Sequence, residues 1–88
     1  MARYSIRIRK TARKELEAVA TKADRRRIIE RIGTLVDNPR PIGSLKLSGR
    51  ERYRIRQGQY RILYTIQNDE LIIYVIKIGH RKDVYRSR

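Results

Sequence analysis

The residues best suited to chemistry in this sequence are cations, with one imidazole and one phenol close to them in the chain. They fall in the stretch from residue 53 to residue 85, YRIRQGQYRILYTIQNDELIIYVIKIGHRKDVY; the arginines are Arg54, Arg56, Arg61 and Arg81, followed by His80 and Tyr85 near its end. A guanidinium is planar and binds phosphate oxygens in pairs. Arginines held by rigid strands beside a histidine and a tyrosine are typical of a surface that binds or cleaves phosphodiesters.

The charge balance of the whole chain also predicts an anionic partner. Lys and Arg total 23 against 9 acidic residues, a formal net charge of +14. Positive charges at this density repel one another. A protein tolerates this repulsion when its positive electrostatic field attracts a partner, usually a polyanion. Nucleic acid and an acidic protein are the two candidates, and they are compatible with each other. A membrane surface is disfavoured, because no segment combines a basic face with Trp or Phe anchors.

Several other classes are excluded by composition. The chain has no cysteine, so a disulfide, a thiolate nucleophile and a Cys-type zinc site are impossible. It has no carboxylate cluster suited to a metal, and no cofactor is expected. The first residues are too polar for a signal peptide, and no apolar run reaches about 18 residues, so a cytoplasmic location is predicted.

The 88 residues predict one small domain over 1–88. Alternating apolar residues over 4–8 indicate a half-buried strand. Thr11 is predicted to cap a helix over 11–20, and Thr21 with Asp24 to cap a second helix that ends at Asn38–Pro39. Apolar residues of both helices, among them Ile29, recur at helical spacing and predict a helical hairpin with one shared seam.

The second half of the chain has the pattern of a small sheet. Residues 39–51 carry the Pro and Gly of a loop, and strand patterns follow over 53–56, 60–66 and 71–78. The last of these is apolar on both faces except at Lys77, which predicts the central strand, ended by Gly79. The fold class is therefore α+β: an N-terminal strand, a two-helix hairpin and an antiparallel sheet of three to four strands.

Two segments, LKLSGRERYRIRQGQYRILYTI and IYVIKIGHRKDVY, resemble the RelE branch of the RelE/ParE toxin superfamily, and the resemblance extends over nearly all of the chain. It implies a RelE-like, microbial-ribonuclease-like fold and a toxin of a type II toxin–antitoxin system. It further implies a ribosome-dependent endoribonuclease that cuts mRNA in the A site. A RelB-like antitoxin would neutralise it, and the pair could also bind operator DNA.

The resemblance also assigns roles to individual positions. Arg54 and Arg56 match basic residues that flank the scissile phosphate, and Arg61 matches a phosphate-binding arginine. Arg81 matches the arginine that stabilises or protonates the leaving oxygen, and Tyr85 matches a tyrosine that stacks on or orients the base. Some members carry lysine where this chain has Arg54 and Arg56, which leaves the general base open.

RNA supplies its own nucleophile, the 2′-hydroxyl, so the site must provide in-line geometry, charge neutralisation, a base and an acid. Arginine, with a pKa above about 12, is a poor base. His80 has the only side chain type that titrates near neutrality, and it equally fits a structural strand-end residue. A second tier of residues is predicted to contact RNA: Arg56, Lys46, Arg50, Arg52 and Lys77. Charges such as Arg7 are interpreted as a solvated surface.

Two other functions compete with the nuclease. A ParE-like toxin would inhibit DNA gyrase by binding it, without nuclease chemistry. A module that only binds an antitoxin and DNA would act as a co-repressor. The GHR…Y ending, together with Arg54, Arg61 and Arg81 in register, favours the nuclease.

Overall fold

The computed structural model describes residues 3–47 and 51–80. Its helices and strands follow the predicted order, with one addition. The elements are β1 (Ser5–Ile8), α1 (Lys10–Glu17), α2 (Lys22–Gly33), a 3-10 turn (Thr34–Val36), β2 (Leu45–Leu47), β3 (Arg52–Gln57), β4 (Tyr60–Gln67) and β5 (Ile72–His80). The predicted α+β class is confirmed.

The strands form one five-stranded sheet in the order β1-β5-β4-β3-β2. The pairs β2–β3, β3–β4 and β4–β5 are antiparallel, as predicted, and β1 joins the sheet parallel to β5. The prediction that residues 71–78 form the central strand is wrong, because β4 holds the middle position. Strand β5 is the neighbouring interior strand, between β1 and β4.

Two further strand predictions are corrected. The segment 39–51 is not all loop, since Leu45–Leu47 forms the edge strand β2, paired with residues 52–54 of β3. Gly79 does not end β5, which continues through it to His80. A glycine weakens a strand but does not stop it, and here Arg61 of β4 pairs with Gly79.

The helices begin and end for reasons that the sequence shows only in part. The Thr21 side-chain oxygen accepts a hydrogen bond of 3.1 Å from the Asp24 amide, which confirms the predicted cap of α2. The predicted cap at Thr11 is wrong, because α1 begins at Lys10 with Arg9 as an N-cap that makes no side-chain bond. Ile29 does not join the apolar seam and is 51% exposed.

Both helices contribute to a core on one face of the sheet. Ala12 and Ile28 of the helices are fully buried, and they share the core cluster with alternating residues of the strands: Tyr53, Ile55, Ile62, Tyr64, Ile66, Ile73, Val75 and Ile78. The residues between these point to the opposite face, which we call the outer face. Within the two described ranges, neither helix is long and apolar enough to cross a membrane.

Candidate active site on the outer face of the sheet

The predicted arginines of β3 lie on the outer face because they alternate with buried residues. Tyr53 and Ile55 are in the core, so Arg52, Arg54 and Arg56 point away from the helices. Paired residues of neighbouring strands share a face, and the register places Arg61 of β4 opposite Arg56. The strands therefore bring Arg54, Arg56 and Arg61 together on one rigid surface.

The contact between these strands places like charges side by side. Arg56 and Arg61 are direct cross-strand partners, for which Cβ atoms are typically about 4.5–5.5 Å apart. Arg54 pairs with Leu63, two residues further along β4, and so lies diagonal to Arg61. Like charges directly opposite each other destabilise a sheet, and an anion between them removes the repulsion. The arrangement suits a bound phosphate.

Arg61 is the most unusual of these side chains. It is buried, with 9% of its surface exposed, and its Nε and Nη1 atoms have no hydrogen-bond partner in the described part of the chain. Its neighbour on β5 is Gly79, which places no side chain beside it. Buried polar groups are nearly always hydrogen-bonded, because desolvating a charge is costly. Arg61 therefore presents two donors that an oxyanion could satisfy.

Two predicted RNA-binding lysines do not point freely from the outer face. Lys77 pairs with Leu63 on that face, but its Nζ atom reaches round the sheet edge to Glu15 Oε2 at 2.8 Å. Lys46 pairs with Tyr53, which sets it on the helix side, and its Nζ lies 3.8 Å from Glu51 Oε2. Both cations are partly neutralised by carboxylates.

Glu15 has a second contact that explains its position. Strand β1 pairs with β5 only as far as Val75, so β5 continues beyond its neighbour. There the Ile78 amide donates 2.9 Å to Glu15 Oε1. A carboxylate of α1 thus takes the place of the missing strand, which keeps β5 in register where it passes Arg61.

His80 lies on the face of the sheet opposite to the arginines. It pairs with Tyr60, next to the buried pair Ile62 and Ile78, and its ring meets the Tyr60 ring edge-on with centroids 5.8 Å apart. A cavity of about 320 Å³ separates it from the end of α1 near Val19. The structure therefore does not bring His80 together with Arg54 and Arg61.

A hydrogen-bond network that the sequence did not predict supports β3 on the helix side of the sheet. Arg40 Nε donates 2.9 Å to the Tyr53 hydroxyl, which donates 3.0 Å to Glu51 Oε2. The bond with Tyr53 raises the pKa of Arg40 and, on the other side, lowers the pKa of Glu51. The Tyr64 hydroxyl donates 2.6 Å to the Pro39 carbonyl, and burial raises the pKa of Tyr64 to about 12.

This network fixes the segment before β2 against the strands that carry the arginines. The only sequence signal for it is the placement of Arg40 between two prolines, which predicts a stiff segment but not its partners. Three residues of the predicted site, Arg50, Arg81 and Tyr85, lie outside the described residues.

Comparison with known proteins places this geometry in a family. A sequence profile described as the ParE toxin of type II toxin–antitoxin systems, parDE, matches residues 6–85. Toxin RelG of Mycobacterium tuberculosis is 27% identical over 84 residues, covering 94% of this chain and 97% of the relative.

Solved structures agree with this match. One from an archaeal RelE–RelB complex of Pyrococcus horikoshii superposes with a TM-score of 0.76 at 30% identity, covering 89% of this chain and 94% of the other. A chain of the RelBE2 toxin–antitoxin complex of M. tuberculosis has the same fold, with a TM-score of 0.79 at 24% identity, over 91% of this chain and all of the other.

Proposed function

Because this chain belongs to the RelE/ParE superfamily of toxins from type II toxin–antitoxin systems, we propose that it is an endoribonuclease. Its substrate is messenger RNA bound in the ribosomal A site, and its effect is to stop translation in the cytoplasm. A RelB-like antitoxin neutralises it. The match to the sequence profile establishes the toxin family, and the nuclease reaction is what we propose in addition.

The observation that supports this proposal most strongly is the buried guanidinium of Arg61. Its Nε and Nη1 donors lack partners in the described chain, and Arg56 stands directly opposite. A scissile phosphate gains negative charge on its non-bridging oxygens as the 2′-oxygen attacks. Donors that a sheet holds in place can stabilise such charge with little reorganisation, which is the largest contribution in many enzymes.

The reaction balances without a cofactor. The 2′-oxygen attacks phosphorus, its proton leaves to a base, and the bond from phosphorus to the 5′-oxygen breaks as that oxygen gains a proton. The products are a 2′,3′-cyclic phosphate and a 5′-hydroxyl. By the family resemblance, Arg81 serves the leaving oxygen and Tyr85 orients the base. Arginine is a weak base, so the ribosome must contribute by holding the messenger in line, a positioning effect that can be worth about 7–11 kcal/mol.

The antitoxin is proposed to be acidic, because it must cover a chain of net charge +14. The archaeal relative was solved as a RelE–RelB complex, which supports a partner of this type. The same complex is proposed to bind operator DNA. A second candidate function, inhibition of DNA gyrase by binding, is favoured by the parDE description of the matching family.

Single-turnover cleavage on ribosomes programmed with a defined messenger tests the proposal. Wild-type protein should cut within the A-site codon, and Arg61→Ala and Arg81→Ala should slow the step at saturation far more than they weaken ribosome binding. Arg26→Ala, an exposed change on α2, is the matched control. Ribosome binding should fall steeply with salt. Intact messenger together with inhibited gyrase supercoiling would replace the nuclease with the gyrase function.

A further inference from the structure

A cleft borders the edge strand β1, away from Arg56 and Arg61. It has a volume of about 660 Å³ and is lined by Ser5, Ile6, Arg7, Ile8, Arg13 and Tyr74. Two guanidinium groups and one phenol ring therefore border a single open space. Sequence reasoning had interpreted Arg7 as a solvated charge.

The cleft is connected to the candidate active site by one cross-strand row of the outer face. Arg52 of β3 pairs with Thr65 of β4, Thr65 pairs with Tyr74 of β5, and Tyr74 pairs with Arg7 of β1. Partners across a sheet share a face, so these four side chains form a line on the outer face. The line runs from Arg52, next to the candidate active site, to Arg7 in the cleft. The line carries a cation at each end with a hydroxyl and an aromatic ring between them.

Arg7 and Arg13, the two cations that line the cleft, are exposed and available to a ligand. In the described ranges, carboxylate ion pairs occupy other cations, namely Arg3, Arg27, Arg40, Lys46 and Lys77, and none involves Arg7 or Arg13. The Nε atom of Arg52 is buried without a hydrogen-bond partner, as in Arg61. Tyr74 is half-buried, so its ring is held by the sheet and still faces the cleft.

We propose that this cleft binds a nucleotide of a single RNA strand whose scissile phosphate lies at Arg61, with the base against Tyr74 and phosphates at Arg7 and Arg13. The inference rests on the proposed nuclease function and extends it. Aromatic rings set among cations bind successive bases in a sequence-tolerant way, because every base has a π-face. An acidic peptide would pair with the cations but gives no reason for an aromatic ring in line with them.

The dimensions of the sheet set the length of RNA that reaches both places. Arg61 and Arg7 are separated by two strands across the sheet and by four residues along it. The usual spacings of strands and residues in a sheet give a distance of about 16 Å between the two positions. A stacked strand rising about 3.4 Å per nucleotide covers this distance in about five nucleotides, and an extended strand in fewer. A dinucleotide held at Arg61 does not reach Tyr74.

The test compares a dinucleotide with a hexanucleotide, both 2′-O-methylated so that cleavage is blocked, by fluorescence anisotropy with the full chain. Wild-type protein should bind the hexanucleotide at least about 10-fold more tightly. Tyr74→Leu, and separately Arg7→Gln with Arg13→Gln, should each remove most of that gain and leave dinucleotide binding unchanged. Arg26→Gln, on α2 outside the cleft, should preserve the ratio.

The inference is overturned if the cleft variants lose no more hexanucleotide affinity than Arg26→Gln, or if they weaken the dinucleotide equally. It is also overturned if an acidic peptide competes with the dinucleotide and hexanucleotide alike and loses its binding in the same variants. Thermal unfolding of each variant checks that the fold is kept, and the charge variants test the cleft even if Tyr74→Leu fails to fold.

A ribosome experiment identifies the source of the nucleotide. Slower cleavage at saturation in the cleft variants assigns it to the messenger, as proposed. Weaker binding to vacant ribosomes at an unchanged cleavage rate would assign it to ribosomal RNA and overturn the inference. If the wild type leaves the messenger intact, the proposed function fails whatever the oligonucleotides show. If the wild type cuts and the length effect survives in the variants, only the cleft proposal fails.

Discussion

Arg56 of β3 and Arg61 of β4 are direct partners across the sheet, and both side chains lie on its outer face. Such a pair of like charges weakens the folded state unless an anion lies between them. Arg61 also carries two buried donors without partners in the described residues. The strands therefore hold in place a charge arrangement that favours binding over stability.

The first prediction follows from that conflict. Arg61→Leu removes a buried charge, so the free energy of unfolding should stay the same or rise by about 1 kcal/mol. Cleavage of ribosome-bound messenger should fall by about 100-fold or more, because a preorganised phosphate donor is lost. Urea unfolding and single-turnover cleavage measure the two effects.

The control for this change is Arg27→Leu, since Arg27 lies on the exposed side of α2 and only its 3.7 Å contact with Asp24 is lost. It should leave cleavage unchanged. A loss of several kcal/mol in Arg61→Leu would show that Arg61 holds the fold together and would remove the argument for an anion site.

The second prediction concerns anions in solution. Inorganic phosphate should raise the melting temperature of the wild type, because a ligand that binds only the folded state stabilises it by mass action. The rise in melting temperature should be much smaller in Arg61→Leu than in the wild type. In Arg27→Leu it should be as large as in the wild type. Equal rises in all three proteins would mean that phosphate acts on the general charge and not at Arg61.

The third prediction tests the support of β5. Glu15→Ala leaves the Ile78 amide without its acceptor and separates Lys77 from its partner. It should lower the free energy of unfolding by about 1–3 kcal/mol and speed hydrogen exchange at the Ile78 amide. Glu17→Ala, an exposed change on the same helix, should do neither. Slow exchange at Ile78 in Glu15→Ala would contradict the role of Glu15.

The fourth prediction concerns His80, whose side chain lies on the helix side of the sheet. His80→Ala should change the cleavage rate at saturation by less than about 10-fold and should leave the shape of the pH–rate profile unchanged. The measurement is single-turnover cleavage from pH 5.5 to 8. A loss as large as that of Arg61→Ala, with a lost limb of the profile, would make His80 the acid or base.

The fifth prediction concerns alkaline pH. Burial raises the pKa of Tyr64 to about 12, against about 10 for an unfolded tyrosine. The unfolded state loses its proton first, so this contribution is complete below pH of about 10 and is lost as the pH rises towards about 12. In Tyr64→Phe, the free energy of unfolding should therefore fall less steeply with pH over this range than it does in the wild type.

At neutral pH, Tyr64→Phe should cost about 1 kcal/mol through the lost bond to Pro39. Tyr4→Phe is the control, because the Tyr4 hydroxyl bonds an exposed Asn68 side chain. Denaturant unfolding at several pH values gives both quantities. An unchanged slope in Tyr64→Phe would assign the alkaline transition to other groups.

The faces of β3 could be predicted because its alternation is unambiguous. Tyr53 and Ile55 alternate with arginines, so the face of each side chain in β3 follows from the sequence alone. The cap at Thr21 was predictable for a similar reason, since its acceptor and donor are local. These signals depend only on neighbours in the chain.

The rest of the site depends on pairing between distant segments, which a single sequence does not encode locally. The register between β4 and β5 shifts at Leu63 and Tyr64, so alternation counted along β5 does not give the face of Lys77 or His80. Strand β2 has three residues, too few for a period to be counted. The partner of Lys77 is Glu15, 62 residues earlier.

The parallel pairing of β1 with β5 has a consequence for how this protein is made. Residues 5–8 can join the sheet only after residues 72–75 are available, so β1 must wait for the far end of the described chain. Contacts this distant in sequence close late and slow folding. While the chain is still being synthesised, β1 lacks its partner and the cleft beside Arg7 does not exist. The Glu15 contact that holds β5 in line beside Arg61 forms equally late, so the arginine-bearing surface is complete only after synthesis has passed residue 78.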